Sequence, residues 1–170
     1  MLFLLFDLDD DRYALDSSEI VEVLALTPVK KIPGAPAWVA GVFERGGEPV
    51  PVIDVAQLAL GRAAHRLRST RLVLVHYDTR SKLTHDTAHA GGSEPGHLLG
   101  LIVERATRTR RIEREQFVGS GVATPHAPWL GPVVSDSMGL IQWVEVQQML
   151  NDETQALLFP GTASLQQAHT

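Results

Sequence analysis

The sequence contains no cysteine, and this absence removes several kinds of chemistry at once. Disulfides, thiolate metal sites and cysteine nucleophiles are all excluded, and a chain without cysteine suits a reducing cytoplasm. Positive charge is also in short supply, because the formal net charge is −5 at neutral pH. Such a chain has no general attraction to phosphates, so we expect no nucleic-acid partner.

Long hydrophobic runs are missing as well. The opening MLFLLF is too short for a signal peptide, lacks a basic region and leads directly into an acidic segment that begins at Asp7. Crossing a bilayer as a helix takes about 20 apolar residues, and no run in the sequence approaches that length. We therefore expect a cytoplasmic protein without direct membrane insertion, and we interpret residues 1–6 as a first strand.

Recognisable catalytic motifs are lacking too. The chain has no Gly-x-Ser-x-Gly elbow, no phosphate-binding loop and no metalloprotease helix motif. His85 and His89 have the i, i+4 spacing of a zinc pair, but no glutamate follows His85, and Gly91-Gly92 disfavours a helix. A solvated loop explains these histidines better than a metal site. We predict a protein that is not an enzyme and binds no metal or other cofactor.

What is present begins with a β-hairpin signal at residues 38–57. Residues 39–43 and 50–53 are apolar and β-prone, and the Gly46-Gly47 pair between them supplies turn chemistry. We predict two antiparallel strands joined by a tight turn, with the rest of the fold organised around them.

Other apolar runs predict further strands, and the longest segment without periodicity predicts a loop. Residues 78–96 are rich in Thr, Ser, Gly and His, which is typical of an insertion on the surface. Runs of apolar residues predict strands at 1–6, 13–15, 72–75 and 98–103.

Three segments predict short helices. Residues 55–60 form a possible helical turn that ends at Gly61, and Asn151 or Asp152 can cap a helix that reaches residue 158. Asp16, with Glu19 three residues later, has the spacing of a capping box.

The helix predicted after Asp16 would carry an apolar face that includes Ile20 and Val23. It would be too short to stand alone, so this face must pack on something. Taken from the residues alone, core packing is the better explanation of Ile20 and Val23.

An arginine-rich segment follows the strand at 98–103. Five arginines fall within ten residues, and Glu104, Glu113 and Glu115 partly neutralise them. No aromatic residues are interleaved, so a phosphate-binding patch is disfavoured. A solvated strand face is the preferred interpretation, with a protein-contact patch as the alternative. The arginines are Arg105, Arg108, Arg110, Arg111 and Arg114.

The second half of the chain repeats the hairpin pattern. Adding 91 to a residue number takes Trp38 to Trp129 and Ile53 to Val144, and eight such matches need no gap. We therefore expect two similar β-lobes whose shared core buries Trp38, Trp129 and Trp143.

Four segments, in order, resemble the adaptor domain of CheW-type chemotaxis coupling proteins. Residues 20–23 are similar to a Val-x-Glu-Ile-like segment of that family, 41–54 to its glycine-led hairpin, 100–104 to Gly-Leu-Val-Val-Asp and 150–158 to its C-terminal helix. The resemblance implies an all-β fold with short helices: two SH3-like, five-stranded β-barrel lobes plus a C-terminal helix. It implies a single domain over residues 3–159, with 160–170 as a flexible tail.

The same resemblance implies a function and a set of contact residues. Such adaptors hold a CheA-type histidine kinase against the cytoplasmic tip of a methyl-accepting chemoreceptor, so the chain would act at membrane-associated receptor clusters. The residues that match receptor-binding positions are Ile20, Glu22, Val23 and Gly41, and those that match kinase-binding positions are Arg45, Gly46 and Gly47.

This sequence departs from the family at its arginine. Family members usually read Asn-Leu-Arg-Gly in the hairpin, whereas Arg45 stands one residue early here. A one-residue shift reverses the face of a strand, so the guanidinium would point the other way unless a bulge at Gly46-Gly47 restores its direction. The displaced arginine and the long loop favour a specialised pathway, such as pilus-driven twitching or surface sensing. An SH3-like binding module outside chemotaxis is the alternative function, and an enzyme the more distant one.

Overall fold

The computed structural model describes residues 1–79 and 96–160. Strands dominate these ranges and the helices are short, as the sequence predicted. The elements are β1 (Leu2–Leu8), β2 (Asp11–Asp16), β3 (Ile20–Ala25), β4 (Val39–Arg45), β5 (Glu48–Asp54), α1 (Val55–Leu60), β6 (Arg71–Tyr77), β7 (His97–Arg111), β8 (Leu130–Asp136), β9 (Gly139–Val144) and α2 (Asp152–Leu158).

The long strand β7 is shared by two lobes. Residues 97–103 of β7 pair with β6 and β5, whereas residues 104–111 pair with β1. Lobe one therefore consists of the second half of β7 with β1, β2, β9 and β8, and lobe two consists of β3, β6, the first half of β7, β5 and β4. At the crossing, Arg105 has a φ of 51° and the register with β1 shifts, so the strand changes direction there.

The two lobes have the same strand arrangement. The strand order is β3-β6-β7-β5-β4 in lobe two and β7-β1-β2-β9-β8 in lobe one. In both orders the first two pairings are antiparallel, the third is parallel and the last is an antiparallel hairpin. The hairpin register repeats with the predicted 91-residue offset: Val42 faces Pro51 in lobe two, and Val133 faces Gln142 in lobe one. Each lobe is thus a five-stranded unit of the SH3-like kind.

The repeat extends to the two tryptophans that open the hairpins, but their environments differ. The carbonyl of Trp38 accepts a hydrogen bond from the Asp54 N–H at 2.9 Å, and that of Trp129 accepts one from the Glu145 N–H at 2.8 Å. Trp129 is buried, whereas Trp38 is only partly buried against the same core cluster. Trp143 belongs instead to the core inside lobe one, where it contacts Phe3, so its predicted place between the lobes was wrong.

The helix predicted after Asp16 was also wrong. Residues Ser17–Glu19 form one 3-10 turn, in which the Asp16 carboxylate accepts a hydrogen bond from the Ser18 N–H, and β3 follows at once. β-branched side chains are restricted in a helix and pack well in a sheet. In this chain, antiparallel pairing of Ile20–Ala25 with β6 decides the outcome.

The remaining local predictions can be compared over the described residues. α1 is capped by Asp54 and ends at Gly61, whose φ of 72° is left-handed, and Asn151 caps α2. β7 is longer than predicted, because the arginine-rich segment continues the strand. Most of the predicted loop at 78–96, with His85 and His89, lies outside the described residues, as does nearly all of the predicted tail at 160–170.

Candidate protein-docking surface

The strand β3 is the edge strand of lobe two and carries three of the predicted receptor-binding residues. Within the described ranges it pairs with β6 alone. Val23 is 44% exposed, which is high for a valine in a strand, whereas Ile20 is partly buried and packs on the core between the lobes. Val23 is therefore available to a partner, and Ile20 serves both the surface and the core.

The predicted kinase-binding residues form a tight turn between β4 and β5. Gly46 and Gly47 have φ values of 57° and 86°, which are the positive angles of a type I′ turn, and Arg45 faces Glu48 across it. The register runs without a shift from Val42 to this turn, so the bulge considered at Gly46-Gly47 is not formed. The Arg45 side chain consequently projects from the same face of β4 as Phe43, as regular alternation along the strand requires.

That direction brings Arg45 to the edge strand. Its Nε donates a hydrogen bond to the Glu22 Oε2 at 3.3 Å, and both side chains remain more than two-fifths exposed. The structure thus places a predicted kinase-binding residue beside a predicted receptor-binding residue. An exposed pair of this kind contributes only about 0 to 1 kcal/mol to stability, so both groups can exchange this contact for one with a partner.

Gly41 is buried beneath this surface. Its φ is 148°, and a Cβ at this position would lie 2.1 Å from the carbonyl oxygen of Lys30. Lys30 and Val42 exchange two backbone hydrogen bonds of 2.7 and 2.9 Å, which hold the two segments together. Gly41 therefore allows a close approach of two backbone segments, and Gly41 itself offers no group that a partner could contact.

In lobe one, an ion pair likewise joins the edge strand to the end of the hairpin's first strand, but with the charges reversed. Asp136 lies 91 residues after Arg45 and accepts a hydrogen bond from Arg110 of β7, which is the edge strand of lobe one. Arg12 also binds Asp136, at 2.9 Å from its Nη1. The hydrogen bond from Arg12, followed by that from the Met138 N–H, lowers the pKa of Asp136 well below its usual range. The 91-residue offset identifies Asp136 as the counterpart of Arg45, but it takes Glu22 to Glu113 and so does not identify Arg110.

A second charged cluster, which the sequence analysis missed, joins the lobes at their crossing. Glu104 is 5% exposed and receives hydrogen bonds from Arg62 at 2.7 Å and from the His65 N–H at 2.8 Å. Arg62 also binds Asp9, in the turn between β1 and β2, at 2.7 Å. These residues are far apart in sequence, and no local pattern links them.

Over the described ranges, no three His, Asp or Glu side chains are placed so as to hold a metal ion together. Across the same residues, none of the helices has the length and apolar character that crossing a bilayer requires.

Two SH3-like lobes that share a strand define a two-lobed β-scaffold. The chain belongs to the CheW-like domain family, whose model matches residues 2–154. Among solved structures, it is similar to the crystal structure of the scaffolding protein TtCheW from Thermoanaerobacter tengcongensis. The two share 18% sequence identity with a TM-score of 0.71, over 88% of this chain and 87% of that chain, which is a likeness of fold. Membership in this family supports an adaptor role in chemotaxis-type signalling and a non-catalytic one.

Proposed function

We propose that this chain is a non-catalytic adaptor that couples the cytoplasmic tip of a methyl-accepting chemoreceptor to a CheA-type histidine kinase. It would work in a chemotaxis-like pathway, in the cytoplasm at membrane-associated receptor clusters. The observation that carries the proposal is the contact between Glu22 and Arg45, which brings one residue of each predicted contact set together at an exposed edge of a CheW-like domain.

The receptor contact is proposed for β3 and its surroundings. A receptor helix would place apolar side chains against Val23 and the exposed part of Ile20, in the helix-in-groove manner. Glu22 projects from the opposite face of β3, beside Arg45, and can bind a basic group at the margin of that contact. Gly41 acts in this proposal by shaping the strand behind the surface.

Val23→Asp is expected to weaken receptor binding about tenfold or more, because it places a charge against an apolar partner surface at a cost of about 1 to 3 kcal/mol. The variant should remain folded, since Val23 is exposed. Ile20→Asn is expected to lower both binding and stability, because Ile20 also packs on the core. Binding of a soluble receptor fragment, measured by calorimetry beside thermal unfolding, separates the two.

The matched control is Val122→Asp, which introduces the same charge at a valine that is 69% exposed in a loop outside lobe two. It should bind the receptor fragment as the wild type does. Equal loss of binding in both variants, or none in Val23→Asp, would rule out the β3 surface as the receptor contact.

The kinase contact is proposed for the turn at Arg45, Gly46 and Gly47. A guanidinium there can fork to a carboxylate of the kinase regulatory domain, whereas lysine cannot. Arg45→Ala should therefore weaken kinase binding about tenfold or more and Arg45→Lys should restore it poorly. Because the pair with Glu22 is exposed, neither change should alter the unfolding transition appreciably.

A charge exchange separates kinase recognition from barrel closure. The double variant Glu22→Arg/Arg45→Glu keeps an opposite-charge pair between β3 and β4 but moves the guanidinium to the other strand. If Arg45 binds the kinase, the double variant stays as weak as Arg45→Ala in a pull-down with the regulatory domain. Restored binding would mean that the pair only closes the barrel. A folded wild type that binds no CheA-type domain would instead favour an SH3-like module outside chemotaxis.

A further inference from the structure

The edge strand of lobe one has an unpaired side that is lined with arginine. Residues 107–111 of β7, the β7 edge segment, pair with β1 on one side. On the other side, the Ala106 N–H, just before this segment, donates a hydrogen bond to the Ser69 carbonyl. No described strand pairs with residues 107–111 on that side. All five residues of the β7 edge segment are exposed. Their outward backbone groups are consequently available to another strand.

Two arginines of this strand, Arg108 and Arg111, form no ion pair with another described residue. Arg110 is bound to Asp136, and Arg105 lies 3.8 Å from Asp7. Within residues 1–79 and 96–160, no ion pair is formed by Arg108, Arg111 or Arg114. Arg108 and Arg111 are three positions apart, so they project from opposite faces of the strand. A carboxylate-bearing strand added at this edge would meet a guanidinium on each face.

The equivalence of the lobes adds a second argument. In the shared strand order, the second half of β7 in lobe one occupies the position of β3 in lobe two. In each lobe, the edge strand forms an ion pair with the last residue before the hairpin turn. In lobe two, Glu22 of β3 pairs with Arg45 of β4. In lobe one, Arg110 of β7 pairs with Asp136 of β8. Equivalent edge strands thus carry apolar and acidic side chains in lobe two and arginine side chains in lobe one.

We propose that the β7 edge segment binds an extended acidic segment of a partner protein by strand addition, with Arg108 and Arg111 paired to its carboxylates. Backbone hydrogen bonds would supply part of the affinity, and the arginines would select for acidic side chains. The proposal goes beyond the coupling function, and it does not depend on the β3 or Arg45 contacts.

A protein segment fits this edge better than other anions do. No aromatic side chain is interleaved among the five arginines, so stacking of nucleic-acid bases has no platform. The headgroups of a lipid surface can neutralise arginine but provide no strand to pair with the free backbone groups. Only an extended polypeptide satisfies both the charges and the backbone.

The experiment uses the full-length protein and a short fluorescent peptide of glutamate, threonine and valine. Binding is expected, weakening as salt rises. Arg108→Glu/Arg111→Glu should weaken it about tenfold or more. Lys30→Glu/Lys31→Glu, which changes the net charge equally at exposed positions outside lobe one, should leave it unchanged. The same peptide with alternate backbone amides N-methylated should fail to bind, and amide exchange at 107–111 should slow when the unmodified peptide is bound.

Each contrary result has a definite meaning. Equal binding of the N-methylated peptide would show attraction by charge without strand addition, and equal binding by Arg108→Glu/Arg111→Glu would place the peptide elsewhere. Binding to anionic lipid vesicles without peptide binding would identify a membrane surface instead. No peptide binding, together with self-association of the double variant, would show that the arginines only protect an open edge from pairing with other copies. Any of these outcomes overturns the proposal.

Discussion

Gly41→Ala is expected to lower the free energy of unfolding by about 3 kcal/mol or more, through backbone strain combined with a clash that cannot relax easily. The added Cβ would lie 2.1 Å from the Lys30 carbonyl oxygen and 2.7 Å from its carbon. Those atoms belong to a backbone segment that two hydrogen bonds hold against β4, so no flexible side chain can move aside. The φ of 148° adds a conformation that alanine rarely adopts.

Denaturant unfolding measures this loss, and Gly46→Ala is the matched control. Gly46 also has a positive φ, of 57°, but no atom lies within 4 Å of the position that an added Cβ would occupy. Its replacement should therefore cost only the conformational term of about 1 to 2 kcal/mol. Equal stability of the two variants would mean that the segment at Lys30 moves freely. A loss of receptor binding in Gly41→Ala should be interpreted as a loss of structure.

Glu104→Ala is expected to cost about 1 to 3 kcal/mol, because it leaves the His65 N–H without its acceptor and removes the buried partner of Arg62, which is itself partly exposed and keeps its contact with Asp9. Glu104 accepts hydrogen bonds from Arg62 and from the His65 N–H, and Arg62 extends the contact to Asp9 in lobe one. The variant should therefore loosen the crossing between the lobes as well as lower the unfolding midpoint. Glu115→Ala is the control, since Glu115 is exposed and its loss should change stability by less than about 0.5 kcal/mol.

The contribution of Glu104 should depend on pH. Burial raises the pKa of Glu104, but the hydrogen bonds from Arg62 and from the His65 N–H outweigh burial and hold this pKa below its ordinary value. A carboxyl whose pKa is lower in the folded state stabilises the protein above its unfolded pKa of about 4.3, and this stabilisation is lost as pH falls through the folded value. The stability difference between wild type and Glu104→Ala should accordingly be full near neutral pH and shrink below about pH 4. A difference that grew in acid would contradict the assigned ion pair.

Local chemistry was sufficient for much of this fold. The Gly46-Gly47 pair determined a type I′ turn because only such residues adopt two successive positive φ values without strain. Asp54 and Gly61 bounded α1 because a carboxylate can cap the first turn and glycine can adopt the left-handed angle at the last. The 91-residue repeat predicted the matching hairpin registers, since side-chain alternation and turn length together determine pairing.

Tertiary structure decided the features that depend on residues far apart in the chain. Residues 20–25 carry an apolar pattern that suits a short helix or a strand, and only pairing with β6 selected the strand. Glu104 was not recognisable as the centre of a cluster, because Arg62 and Asp9 reach it only after β7 has crossed between the lobes. Arg45 was visible as an unusual residue, but its contact with Glu22 exists because the fold of lobe two brings its first and last strands, β3 and β4, within reach of each other's side chains. Sequence patterns determine what a segment can form locally, whereas the pairing of distant strands determines which charged side chains meet.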